Sequence, residues 1–112
     1  LSRLVQKNPT TDDLDLELLY ARALLNADQP DQALPRLASL VELLDQHNPA
    51  QRKHFWHCWT LILETTLAHG NDADLDSARA HLTRLTLIDP KLGPEPFATR
   101  LTIVQNTLHS EP

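Results

Sequence analysis

Apolar residues recur along this chain at steps of three and four, and the recurrence is interrupted at intervals. Leu14, Leu18, Ala21 and Leu25 step by 4, 3 and 4. Ala33, Leu37, Leu40 and Leu44 repeat that spacing, and so do Phe97, Leu101, Val104 and Leu108. Leu75, Ala78, Leu82 and Leu85 step by 3, 4 and 3, and Phe55, Trp59, Ile62, Leu63, Thr66 and Leu67 lie on one helical stripe. This is the period of a helix with one buried face, and no stretch alternates with the period of a strand. The interruptions are Asn8-Pro9, Asp28-Gln29-Pro30, Asn48-Pro49, Gly70-Asn71-Asp72, Asp89-Pro90 and Gly93-Pro94-Glu95-Pro96. A residue before proline avoids the α region, so these dipeptides mark helix ends. The pattern predicts an all-α chain. Five helices are expected: Leu14–Ala27, a second from Ala33 to near Gln46, Phe55–His69, one through Leu75–Leu85, and Phe97–His109. A stub over Leu1–Lys7 precedes them.

Local signals at the helix starts agree. Thr11 precedes the acidic turn Asp12, Asp13 and Asp15, which suits the positive end of a helix dipole. Asp28 stands before Pro30 as a candidate N-cap, and Asp74 is the candidate cap of the fourth helix. Pro94 and Pro96 sit where the fifth helix would begin. Pro35 falls inside the second helix and removes one backbone hydrogen bond, so a bend or a tightened first turn is expected there.

The spacing repeats at a longer range. Ala33 is followed by Leu37, Leu40 and Asn48-Pro49, and Ala78 by Leu82, Leu85 and Asp89-Pro90. This small–large–large pattern with a proline exit resembles the tetratricopeptide repeat (TPR) family. There a small residue opens the second helix of each unit, and proline closes the unit. Ala78, Leu82, Leu85 and Pro90 match that spacing. Trp59 would take the family's first-helix tryptophan position if three residues are inserted at Gly70–Leu75. Tyr20 and Ala21 would be the large and small pair of the first unit. The departures are a 45-residue separation of Ala33 and Ala78, against a family period of about 34, and leucine at the small third position (Leu40, Leu85). The resemblance implies a short right-handed solenoid of stacked antiparallel helix pairs. Residues 1–9 would end a preceding repeat, 11–49 and 50–90 would be repeats, and 94–110 would be the capping helix that such arrays need.

Composition narrows function. The 112 residues include 23 leucines but two glycines and 4% aromatics, which favours helices over sheets. At this length a folded chain buries roughly 65% of its unfolded surface, enough for a core without staples. The net charge of −5 disfavours a nucleic-acid-binding face. A single cysteine, Cys58, precludes an internal disulfide, and no apolar run reaches the length of a membrane span. The chain has no initiator Met and opens inside an apolar pattern, so it reads as a segment of a longer protein.

Candidate chemistry is sparse. His54, His57 and Cys58 share a helical face at i, i+3 and i+4 and form a candidate zinc-ligand cluster, with Asp45 or His47 as a fourth ligand. There is no second ligand doublet. A Cys–His nucleophilic pair would need an orienting third group and a cleft. No phosphate-binding glycine loop, Gly-x-Ser-x-Gly or His-Glu-x-x-His occurs. Phe55 and Trp59 are expected in the core. Trp56, about 100° round the helix, is a candidate exposed anchor. Arg22, Arg36, Arg79, Arg84 and Arg100 would form an anion-binding groove if their faces converged.

The expectation is therefore a non-enzymatic scaffold without a cofactor, holding a peptide or partner-protein segment in a helical groove. In the TPR-like register, Glu17, Tyr20, Leu24, Trp56 and Thr60 would line that groove. Two alternatives are a regulatory or dimerisation module of a larger protein, acting by self-association, and a metal-binding helical protein using His54, His57 and Cys58. Degenerate units of this family occur in accessory proteins of secretion, pilus or envelope assembly and cytochrome maturation, including bacterial ones.

Overall fold

The computed structural model describes residues 11–45 and 47–110. Five α-helices and no strand occur among them: α1 (Thr11–Asn26), α2 (Pro30–Glu42), α3 (Pro49–His69), α4 (Asp72–Ile88) and α5 (Phe97–Ser110). The all-α prediction holds. The segment assigned to a preceding repeat, residues 1–9, lies outside the described residues. The described residues divide into two compact units, with the boundary between Trp59 and Thr60.

In the first unit α1 packs on α2. Leu14, Leu18 and Ala21 are buried from α1, and Ala33, Leu37, Leu40 and Val41 from α2. The connection is a Schellman-type end, with the Asp28 N–H on the Leu25 carbonyl at 3.1 Å and the Gln29 N–H on Leu24 at 2.9 Å. Asp28 adopts φ 59°, the left-handed conformation that glycine usually fills. Asp28 therefore ends α1 and does not cap α2. The N-cap of α2 is Gln29, which makes no side-chain capping bond, and Pro30 follows at N1. Pro35 is accommodated within α2 after a first turn tightened by a Gln32 N–H to Gln29 carbonyl bond of 3.1 Å.

Two boundaries differ from those predicted. α2 ends at Glu42, not near Gln46, with 3₁₀-type bonds from Leu43 to Leu40 and Leu44 to Val41. α3 begins at Pro49, six residues before Phe55. The reason is the double meaning of Asn48-Pro49. Proline at N1 lacks a hydrogen no helix needs there, and the Asn48 side chain accepts the Ala50 N–H at 2.9 Å. The dipeptide starts a helix where the sequence pattern read only an exit.

In the second unit α4 contacts α5, and the Arg100 guanidinium of α5 grips Glu64 of α3 with its Nε at 3.0 Å. Leu61, Leu63, Ala78, Leu82, Leu85, Phe97, Leu101, Val104 and Leu108 are buried. The α3–α4 turn is set by Gly70. A Cβ there would lie 2.6 Å from the Thr66 carbonyl oxygen and 2.8 Å from Asp74 Cβ. Asn71, not Asp74, caps α4. The Asn71 side chain accepts the Asp74 N–H at 2.9 Å while the Asp74 carboxylate accepts the Asn71 N–H at 3.1 Å, a complete capping box. The α4–α5 connection is pinned by Leu92, which is buried despite φ 64°. Glu95 accepts the Thr99 N–H at 2.9 Å in the first turn of α5.

Candidate partner-binding face

α1 is apolar on two sides. One side, centred on Leu14, Leu18 and Ala21, is in the core. The opposite side carries Leu16, Leu19 and Tyr20, which are 56%, 61% and 48% exposed, and the exposed Ala23. A period of 3.6 residues gathers these four into an arc of about 100°. Single exposed leucines are ordinary, but three large apolar side chains on one arc form a patch of the kind that takes a partner.

Of the sequence-predicted groove residues, Glu17, Tyr20 and Leu24 lie on α1. Glu17 and Leu24 are half-buried at one edge of the stripe and Tyr20 is within it. Arg36 of α2 rises beside them. Its guanidinium lies 4.1 Å from the centre of the Tyr20 ring and 3.6 Å from the Glu17 carboxylate. A cation on the ring face and a carboxylate at the guanidinium edge hold Tyr20 in one orientation, and a fixed aromatic loses less entropy on binding.

Trp56 and Thr60 belong to no surface. Both are fully buried, Trp56 edge-on to Phe55 with ring centroids 5.4 Å apart. Trp59, expected in the core, is only half-buried. The expectation failed because α3 is buried almost all round. His54, Phe55, Trp56, Cys58, Thr60, Leu61, Leu63 and Thr65 are all in the interior, so no single outward stripe exists for helix phase to locate. Leu16 and Leu19 were missed for the opposite reason. Their neighbours Leu14 and Leu18 carried the core periodicity, and the second leucine set was not read as a face of its own.

The His54, His57 and Cys58 cluster separates. His54 turns to α1, with Nε2 2.7 Å from Asp15 Oδ1. Its Nδ1 is buried without a hydrogen-bond partner among the described residues. Cys58 is fully buried, and desolvation pushes its thiol up to about 12. A thiol at that value stays protonated at neutral pH and is a poor nucleophile and a poor ligand. Asp45 is occupied in the α2–α3 turn, where Oδ1 accepts the His47 N–H at 2.9 Å. No three His, Cys, Asp or Glu side chains among the described residues come together as a metal-binding group.

Within the second unit the arginines are engaged one by one. Arg79 reaches Asp76 at 2.8 Å and the Leu108 carbonyl near the end of α5 at 3.3 Å. Arg84 bonds to His81, whose pKa is lowered by burial and by the Arg84 charge, so the neutral ring accepts from the guanidinium. Arg100 is held charged chiefly by its bonds to Glu64. Arg22 is exposed and makes no ion pair among the described residues. The second unit carries a shallow hollow of about 490 Å³ lined by Lys91, Glu95, Thr99, Thr102 and Ile103. There Thr99 holds the Glu95 carboxyl below its ordinary value by hydrogen bonds from its hydroxyl and N–H. No helix among the described residues is long and apolar enough to cross a membrane.

Compared with known proteins, the chain gives no significant match to a family model, a curated protein or a solved structure.

Proposed function

We propose that this chain is a non-enzymatic protein–protein interaction module of TPR-like helical-repeat type. α1–α2 and α3–α4 are its helix pairs in a short right-handed solenoid, and α5 is the cap. It holds a partner-protein segment on the outward face of α1. The observation that carries this reading is the exposed stripe Leu16, Leu19 and Tyr20 on a helix whose other side is already packed. Support for the repeat comes from register: Ala33, Leu37 and Leu40 of α2 and Ala78, Leu82 and Leu85 of α4 are buried at the same spacing. The non-enzymatic reading rests on Cys58, whose thiol is buried and protonated, and on His54, which is tied to Asp15.

The partner-binding residues proposed are Leu16, Glu17, Leu19, Tyr20 and Leu24, with Arg36 as the support of Tyr20. Immobilised chain tests this against a cell extract of its source, with partners identified by mass spectrometry and confirmed as purified proteins. Leu16→Asp with Leu19→Asp should abolish retention of the confirmed partner with helicity unchanged by circular dichroism. His57→Ala with Cys58→Ala should retain it. Loss on the second pair and retention on the first would overturn the reading.

A further inference from the structure

We propose that the occupant of the α1 face is a second copy of this chain, docked antiparallel with Asp15 of each copy opposite Arg22 of the other. The proposal rests on the docking role of that face and adds the identity of the partner.

The argument is charge placement around the stripe. At 100° per residue, Asp15 and Arg22 fall about 20° apart on the same flank of α1, one heptad from each other. All three stripe residues lie between them in sequence, and on the helix surface Leu19 is beside them, about 40–60° round, with Leu16 and then Tyr20 following across the stripe. A two-fold axis running between the two copies, perpendicular to α1 and level with the midpoint of residues 18 and 19, reverses the helix and keeps each flank on its own side. It brings Asp15 level with the partner's Arg22, and Arg22 level with the partner's Asp15. Both ion pairs form at once, as an isologous interface requires. The same axis sets Leu19 beside its own copy and places Leu16 against the partner's Tyr20. On the opposite flank Glu17 is matched within its own chain by Arg36 at 3.6 Å, and Asp13 falls level with Leu24 of the copy rather than with a charge. Arg22 has no ion pair within the described residues. Asp15 is held by His54 through one oxygen, yet its side chain is 64% exposed and accessible to a second cation. A copy with the stripe but like charges at 15 and 22 would repel itself on this flank.

Area sets the strength. A 16-residue helix is about 24 Å long. One such face covers less than the roughly 800 Å² per partner of a standard interface, so the dimer is weak and concentration-dependent.

Sedimentation equilibrium from about 10 μM to about 1 mM, the range a sub-standard interface populates, tests this on the whole chain. Wild type should shift from monomer to dimer across it. Arg22→Asp and Asp15→Arg should each weaken self-association about ten-fold or more, because each places two like-charge pairs across the axis. Mixed in equal amounts, the two variants should recover a dimer, since every pair between them is again of opposite charge. Circular dichroism must show both folded, and Leu19→Glu serves as a variant that breaks the stripe without touching Asp15 or its histidine. A wild type that stays monomeric throughout, an Arg22→Asp chain that dimerises like wild type, or a mixture no tighter than its components each overturns the proposal. A monomeric wild type that still loses a confirmed foreign partner on Leu16→Asp with Leu19→Asp leaves the docking face standing and removes only the second copy.

Discussion

Replacing Trp56 separates the packing of α3 from the helix phase that sequence alone gives. The side chain is fully buried and meets Phe55 edge to face at 5.4 Å. Truncation of a buried tryptophan to alanine costs about 3–5 kcal/mol, as lost transfer energy plus a cavity. The aromatic pair contributes about 0.5–1.5 kcal/mol of that beyond area. Trp59 is less completely buried, so its truncation forfeits less apolar burial. With a urea slope of about 1.5 kcal/mol/M for a chain of this size, Trp56→Ala should lower the denaturation midpoint by roughly 2–3 M, and Trp59→Ala by less. Total stabilities of about 5–15 kcal/mol leave little margin. Trp56→Phe, which keeps an aromatic ring, provides a milder step on the same scale. A double-mutant cycle with Phe55→Leu should return the pair term. In a Trp59→Phe background the remaining tryptophan emission should be blue-shifted when folded and red-shifted in urea. A Trp56→Ala effect below about 1 kcal/mol, or one smaller than that of Trp59→Ala, would refute the burial of Trp56 on which this rests.

Other outcomes follow from single contacts. Asp28→Gly should raise stability by up to about 1 kcal/mol, because φ 59° costs glycine nothing; thermal denaturation checks it. Gly70→Ala should destabilise measurably in the same assay, since the new Cβ meets the Thr66 backbone oxygen at 2.6 Å, and Asn71→Ala should cost about 1 kcal/mol through the lost cap. Cys58 makes stability depend on alkaline pH. Its folded pKa, about 12, lies above the ordinary thiol value, so the unfolded chain releases this proton first and stability falls as pH rises from about 9 towards 12. Cys58→Ala should flatten that part of the profile, and thiol labelling of the native chain at pH 8 should proceed only as fast as opening exposes the sulfur.

What the sequence made legible tracks how many constraints each residue had to satisfy. The buried stripes of α1, α2, α4 and α5 were readable because each helix buries one face, so period alone finds Leu14, Leu37, Leu82 and Leu101. α3 was not readable to the same degree. With interior residues at consecutive positions from His54 to Trp56, phase carries no information about exposure, and Trp56, a candidate exposed anchor by phase, is fully buried. Boundaries failed where one dipeptide serves two elements, as Asn48-Pro49 ends a turn and caps a helix. The ligand cluster failed because side-chain direction depends on the neighbouring helix: Asp15, 39 residues earlier in the chain, claims His54. The same limit hid the outward stripe of α1. Its leucines satisfy no constraint within the described chain, so core periodicity had no place for Leu16 and Leu19. On α1 these residues share one arc, flanked on one side by an acid and a base one heptad apart.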